Sequence, residues 1–400
     1  MQRWAIILAC FAACVLFARP GDVDESFKPR LPADYIITAV CEQKDGKLLV
    51  AGLTPPEKWD YEAFLIRLKL DGKIDSSFRV HWRNLTTFDA ASQICARPDG
   101  RIGVLGWHNL YRLRLFSDSG EFWGETAESL HGAALLRSHG RFDKRYALEE
   151  GVSSGSFFPD GSILYPSSTN YWFTLAGIYA QLRRLDPNGN VIWTSEAIAP
   201  PSPVKDKSTS FAWCRALPDG TMVGGLVNVV ETWYRPRQPV QDYRNTRYYF
   251  YSSAWGQTQI NISSGGPIDA GKASGVAAPG PTNSLYLGGG PHLSILTRRL
   301  AGWQIDPSFN FQSPDPNATI RAMAVQPDGK IVYCFVSDTT NRLYRCNSDG
   351  SHYSTFSFGE QADASVQNLL VLRSGKILAW GSFTDADGVR RQTFVRLNTD

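Results

Sequence analysis

Residues 39–50, Ala39-Val40-Cys41-Glu42-Gln43-Lys44-Asp45-Gly46-Lys47-Leu48-Leu49-Val50, are two apolar runs joined by a turn that ends on Asp-Gly. Asp and Gly supply the backbone angles that a tight hairpin needs, and each flanking run has the length of one strand. The unit recurs around Asp99-Gly100, Asp160-Gly161, Asp219-Gly220, Asp328-Gly329 and Ser374-Gly375, and in degraded form around Pro279-Gly280-Pro281, which makes seven copies. Successive glycines are 54, 61, 59, 60, 49 and 46 residues apart. An elastic period of this length marks a ring or stack of repeated supersecondary units.

Each copy is followed by a second hairpin, as in Arg67-Leu68-Lys69-Leu70-Asp71-Gly72-Lys73-Ile74-Asp75-Ser76-Ser77-Phe78. Its relatives are Arg112 to Gly120, Arg184 to Gly189, Arg299 to Gly302 and Arg345 to Gly350. One repeat therefore supplies four antiparallel strands, and no helical periodicity separates the repeats, which excludes parallel α/β folds. The predicted fold is all-β: a seven-bladed β-propeller with four-stranded blades, forming a single domain over residues 19–400.

The two ends predict how the ring closes. The chain stops at Arg396-Leu397-Asn398-Thr399-Asp400, halfway through a second hairpin, and Gly21-Asp22-Val23-Asp24-Glu25-Ser26-Phe27 has the form of the missing strand. The last blade is thus expected to be closed by the N-terminal strand, which covers edges otherwise open to aggregation. Asp24, Asp75 and Asp306 each stand three residues before a phenylalanine, Phe27, Phe78 and Phe309. Repetition argues that these aspartates cap turns and that the rings pack between sheets.

The units Ala322-Met323-Ala324-Val325-Gln326-Pro327-Asp328-Gly329-Lys330-Ile331 and Gly381-Ser382-Phe383 with Arg396-Leu397-Asn398 resemble the delta-60 repeat of bacterial surface and secreted propeller-like proteins. The resemblance covers nearly the whole chain after residue 18, strongest in blades one, six and seven. It implies a propeller exported by a bacterium. It brings no catalytic residues with it.

Composition is consistent with a folded, turn-rich protein: 43% apolar and 20% charged residues, 35 Gly and 12 Trp in 400 residues. The net charge of +3 gives no global field for nucleic acid, which is set aside as a partner. Residues 1–18 read as a signal peptide, with Arg3 ahead of an apolar run from Trp4 to Phe17 that is too short to span a bilayer. The protein is expected to be secreted or periplasmic and monomeric, with no membrane span; the alternative is a lipoprotein anchored through Cys14. Cys41, Cys95, Cys214, Cys334 and Cys346 remain after the signal, an odd number without zinc spacing. Cys334 and Cys346 read either as a cross-strand disulfide or as two small buried hydrophobes, the second being preferred.

If strands alternate direction, both Asp-Gly turns of a blade lie on one face and the longer connections on the other: 54–61, 79–89, 124–151, 165–177, 195–210, 228–245 and 311–317. Insertions on one face of a rigid ring are where such folds carry function. The richest is in blade four, where Trp233, Tyr234, Arg235, Arg237, Tyr243 and Arg244 are the candidate ligand-binding residues, since aromatic rings and guanidinium groups stack on sugars and clamp carboxylates. The plainer reading is a long hairpin whose aromatics cover a blade edge. His131 and His139 match no common ligand spacing and read as solvated loop residues. Asp385-Ala386-Asp387-Gly388 reads as a turn, because the twelfth position of a calcium loop would be Arg396. Asn84, Asn261 and Asn317 head glycosylation triplets.

No catalytic or metal site and no cofactor is expected; motifs for nucleophilic, phosphate or zinc chemistry are absent from the sequence. The leading expectation is an exported binding or scaffold protein with a glycan or cell-surface partner. The alternatives are a polysaccharide hydrolase or lyase, which needs two carboxyl groups about 5–9.5 Å apart, and a purely structural envelope module.

Overall fold

A computed structural model of the protein describes residues 21–32, 34–55, 63–80, 90–107, 113–116, 122–126, 132–136, 142–147, 155–170, 178–195, 207–216, 220, 222–234, 238–252, 256–261, 276–280, 284–288, 296–299, 306–314, 319–336, 341–351, 364–383 and 394–399. Among these residues every regular element is a strand. β1 (Ile36–Glu42), β2 (Leu48–Leu53) and β3 (Ala63–Leu68) form a first antiparallel group. The second group runs through β4 (Ala90–Ala96), β5 (Ile102–Trp107), β6 (Leu113–Phe116), β7 (Phe122–Thr126), β8 (Gly132–Leu136) and β9 (Phe142–Ala147). A third comprises β10 (Ser156–Phe157), β11 (Ile163–Asn170), β12 (Ile178–Leu185) and β13 (Val191–Thr194). The fourth is β14 (Lys207–Ala216), β15 (Met222–Tyr234), β16 (Gln238–Ser252) and β17 (Gly256–Asn261), joined to the third by one parallel bridge, Ile178 to Ser208. Three shorter groups follow: β18 (Val276–Pro279), β19 (Leu285–Gly288) and β20 (Leu296–Arg299); β21 (Thr319–Val325), β22 (Ile331–Val336) and β23 (Asn341–Cys346); β24 (Ala364–Val371), β25 (Ile377–Phe383) and β26 (Phe394–Leu397).

Turn chemistry makes the inner hairpins. In the first, Gly46 N–H donates to Gln43 O at 2.9 Å and Gln43 N–H to Lys47 O at 2.8 Å, a tight turn completed by a glycine at φ 80°. That left-handed angle is why Gly follows Asp, and Asp45 Oδ1 accepts Lys47 N–H two residues on. Apolar clusters then join neighbouring groups. Leu49, Ala51 and Phe78 pack on Ile94, Ile102 and Val104 of the second group, whose Leu105 meets Ile163 and Tyr165 of the third. Phe158 and Leu164 meet Cys214 and Met222 of the fourth. Tyr286 packs on Met323 and Ile331, and Ala322 and Val332 on Val366 and Ile377. The first and last groups share a core too: Leu48, Val50 and Leu68 pack with Leu378, Trp380 and Phe394 around Phe27.

A second repeated device holds the outer edges. Arg67 Nε donates to Asp75 Oδ2 at 2.9 Å, and Arg298 Nε to Asp306 at 2.7 Å. Each guanidinium also lies over the following ring, 4.9 Å from Phe78 and 5.4 Å from Phe309. The chain's ends build the same triad: Arg396 Nε donates to Asp24 Oδ2 at 2.7 Å and lies 4.4 Å from the Phe27 ring. Backbone pairing accompanies it, with Val23 bridged to Leu397, Asp24 N–H donating to Arg396 O and Asn398 N–H to Asp22 O. The outer strand is short in the first group as well, a single bridge between Leu68 and Ile74.

Arginines of the last three outer hairpins also reach forward to the next group. Arg298 Nη1 donates to Ser348 O at 2.7 Å, Arg345 Nη1 to Thr399 O at 2.8 Å, and Arg396 Nη1 to Leu70 O at 3.1 Å. In each case the acceptor lies next to the aspartate of an outer turn. The segment after the phenylalanine crosses the same turn: Lys28 N–H donates to Asp71 O and Asn310 N–H to Asp349 O. Room for that crossing comes from glycine, since a Cβ on Gly72 would stand 2.8 Å from Pro29 N and one on Gly350 2.8 Å from Asn310 C.

The second group departs from the sequence expectation. Residues 112–120 were expected to hold its third strand and 124–151 a loop, but β5 pairs with β8, with Val104 opposite Ala134, and β8 with β9. β6 and β7 pair only with each other, as an inserted hairpin. An apolar run around a turn fits either place; Gly132 to Leu136 wins the pairing with β5.

Deleting residues 21–27 removes the Phe27 ring and strips Arg396 of its carboxylate, a cost on the order of 3 kcal/mol; calorimetry is expected to show a melting temperature lowered by several degrees, and an unchanged one would refute the stitch. Acid acts on the same contacts. Burial opposes ionisation of Asp24, but hydrogen bonds from Lys376, Ser26 and Arg396 outweigh it and hold the carboxyl well below its usual range. The Ser77 hydroxyl, then its N–H, Lys47 and Arg67, do the same for Asp75 against burial. Depressed folded values mean stability present above the unfolded carboxyl value of about 3.9 and lost as pH falls beneath it. Thermal melts are therefore expected to be level from neutrality down to about pH 5 and to drop steeply below about pH 4, less so in Asp24→Asn.

Candidate functional site

The innermost strand of five groups carries the same irregularity. Pairing with the next strand slips between Ile37 and Ala39, Ala91 and Gln93, Phe211 and Trp213, Ile320 and Ala322, and Val366 and Asn368. The skipped residues are Thr38, Ser92, Ala212, Arg321 and Gln367, and each stands eight positions before the glycine of its turn, Gly46, Gly100, Gly220, Gly329 and Gly375. A bulge of this kind adds one residue that has no partner across the ladder and re-aims it.

Packing shows what the extra residue escapes. Ile37 faces the last group and Ala39 the second. Ile320 faces the fifth group and Ala322 the seventh. The residue between belongs to neither interface, so Arg321 and Gln367 are exposed and Thr38 half-buried while their neighbours are packed. These strands run from the bulge towards the Asp-Gly turn, so the bulges lie at the far end, where β2 connects to β3 and one group to the next. That is the face expected to bear the long connections. Of the charged residues on the described innermost strands, Lys207 and Arg321 stand towards this end, and Arg215 and Glu42 stand at the turn end, where the Glu42 carboxylate accepts Arg373 N–H at 2.9 Å.

Four of the six blade-four residues singled out by sequence, Trp233, Tyr234, Tyr243 and Arg244, fall on one hairpin. β15 and β16 pair from Met222 opposite Tyr251 to Tyr234 opposite Gln238. Trp233 and Tyr234 are at the tip of this ribbon, Trp233 opposite Pro239; Tyr243 lies lower, opposite Val229. Arg244 falls where the register shifts, between the pairs Val229–Tyr243 and Val227–Thr246. Arg235 and Arg237 lie outside the described residues, as do residues 1–18, His131, His139, Asn84, Asn317 and Asp385 to Gly388.

Asp24, Asp75 and Asp306 are spoken for by their arginines and serines. Among the described residues no group of three or more His, Cys, Asp or Glu is placed to hold a metal ion, and no helix is long and apolar enough to cross a membrane. Among the described residues, Cys41, Cys95, Cys214, Cys334 and Cys346 are in no disulfide. Cys334 lies opposite Leu343 and Cys346 opposite Ile331, so the two are three positions out of register and enter different clusters, Cys334 towards the seventh group and Cys346 towards the fifth. Burial pushes both thiols up to about 12. They are inert core residues rather than nucleophiles.

A family model described as a β-propeller domain of unknown function (DUF5122) matches residues 43–78 and 372–400. Those stretches hold Lys47, Arg67, Asp75, Phe78, Lys376 and Arg396, most of the stitch described above. No curated protein matches the chain. Among solved structures, a prolyl endopeptidase is 11% identical with a TM-score of 0.53, over 91% of this chain and 47% of that one. Prolyl oligopeptidase B from Galerina marginata is 11% identical with a TM-score of 0.52, over 92% and 51%. A virginiamycin B lyase from Staphylococcus aureus is 13% identical, TM-score 0.48, over 92% and 97%. The chain thus spans about half the length of the two peptidases, and the likeness to them is one of fold. The protein is a β-propeller repeat protein.

Thiol chemistry offers a direct check on the cysteines. At mildly alkaline pH, Cys214, Cys334 and Cys346 are expected to resist an alkylating reagent in the folded protein and to react fully once it is denatured without reductant. Two cysteines that stay blocked until reductant is added would mean a disulfide.

Proposed function

We propose that the chain is an exported, seven-bladed, closed β-propeller of the delta-60 repeat kind that binds or scaffolds a glycan or cell-surface partner on its loop-rich face. Each strand group is one blade. Support for the closed ring is the link from Arg396 to Leu70 O: it joins last to first in the form that Arg298 and Arg345 use between consecutive groups. Residues 1–18 serve as the export signal, cleaved to free a soluble monomer, with lipid attachment at Cys14 as the alternative.

The observation that carries the binding reading is the contrast between the two faces. On the turn face the residues repeat and are committed to one another. On the other face the bulged positions hold Thr, Ser, Ala, Arg and Gln in the same backbone setting. Positions that repeat serve the scaffold; positions that differ in an identical setting can serve a ligand. The hairpin bearing Trp233, Tyr234, Arg235, Arg237, Tyr243 and Arg244 would add stacking and guanidinium groups on that side.

A thermal-shift screen of the purified protein against glycans, cell-wall fragments and divalent metals tests this reading. A ligand at 100 times its Kd stabilises by about 2.7 kcal/mol, and a glycan or wall fragment is expected to give such a shift. A flat response to the whole panel would favour a purely structural envelope module.

A further inference from the structure

We infer that the last strand group is a docking slot for residues 21–27 of a second copy of this chain as well as for its own. A copy at low concentration closes on itself, and two copies folding at high concentration exchange these strands. This goes beyond the binding reading and needs only the joint between the chain's ends. In the first group the arginine and aspartate of the outer hairpin, Arg67 and Asp75, stand 8 residues apart, so the outer segment stays with the strand it covers. In the last group the same pair, Arg396 and Asp24, stands 372 residues apart, and the segment bearing Asp24 is joined to β1 by residues 28–35. Nothing in that joint requires its two sides to belong to one molecule.

The slot recognises this one segment by shape and by charge. Gly21 N–H donates to Asn398 O and Asp24 N–H to Arg396 O, both at 2.8 Å, and Asn398 N–H donates to Asp22 O at 2.9 Å. Arg396 Nε and Lys376 Nζ both donate to Asp24 Oδ2, and Arg396 Nη2 donates to Ser26 Oγ at 3.2 Å. Phe27 then fills the shared core against Phe394, with ring centroids 5.7 Å apart. A strand from another copy can make each of these contacts, which is the condition for exchanging identical elements. What favours the chain's own segment is the effective concentration that its short connection confers, on the order of millimolar. Pro29 and Pro32 restrict that connection, and fully extended it reaches about 26 Å, enough to pass between two rings that touch at these edges. Its grip on the first group, Lys28 N–H on Asp71 O at 3.0 Å and Leu31 and Tyr35 on the shared core, must be released first. Folded copies therefore change partners slowly, and exchange is set as the chain folds.

Refolding the native full chain from denaturant over a concentration series, read by size-exclusion chromatography with light scattering, tests the exchange. The protein is expected to be monomeric in the micromolar range, to give a growing dimer fraction as the concentration approaches millimolar, and to keep that dimer on dilution. Two full-length variants then locate the contact. One carries Asp24→Arg and the other Lys376→Asp with Arg396→Asp, so each has like charges at its own joint and opposite charges at a joint with the other. Refolded together they are expected to form a mixed dimer at concentrations where neither forms one alone, and the mixed dimer to melt several degrees above either variant. A native chain that stays monomeric throughout the series overturns the exchange, whether or not the variants fold alone. A dimer that forms equally well in each variant by itself also overturns it, because such a dimer uses another surface. None of these outcomes bears on glycan binding, which the ligand screen tests separately.

Discussion

The structure depends on the arginine of three outer hairpins, Arg67, Arg298 and Arg396, and on what each joins. Nε holds the aspartate of the outer strand and the plane lies over the phenylalanine that follows, and in Arg298 and Arg396 Nη1 also reaches the next group's outer turn. An isolated ion pair on a surface contributes little. Here Arg67 and Asp75 are only 12% and 6% exposed at the side chain, and the guanidinium satisfies several acceptors at once. Removing either partner would leave a largely buried charge, the costly case. A short outer strand with a single bridge survives because this contact replaces the ladder it lacks.

The legibility of the sequence follows from how local each device is. Asp-Gly turns are fixed by neighbouring residues, so they can be counted along the chain. The link between Gly21 to Phe27 and the C-terminal hairpin is readable because Arg, Asp and Phe keep one spacing through the chain, and the pairing of Asp24 with Arg396 follows it. The second group resists such a reading for the opposite reason. Leu113 to Phe116 has the strand character of Gly132 to Leu136, and nothing local says which of the two pairs with β5.

The bulges are invisible to a reading by strand and turn. A bulge leaves no mark in composition: Thr38, Ser92 and Gln367 are ordinary polar residues in ordinary strands. The signal that could have revealed them is positional. Aligned on the turn glycine, the residue nine places before it is apolar each time, Ile37, Ala91, Phe211, Ile320 and Val366, and its successor follows no chemical pattern. Such a column says that packing fixes one position and leaves the next alone.

The two faces of the molecule divide stability from variation because of strand direction. Both turns of each hairpin pair lie at one end, so the arginine, its aspartate and the neighbouring turn that it grips are gathered there. At the other end the connections between the second and third strands of a group take no part in these links. A change of length or composition there leaves the arginine contacts untouched, which is why a 15-residue strand such as β16 and the inserted hairpin of β6 and β7 can be accommodated in a repeating scaffold. Sequence freedom at that end is thus a consequence of where the stitching lies, and the bulges set chemically unlike residues at equivalent strand positions without disturbing the cores on either side.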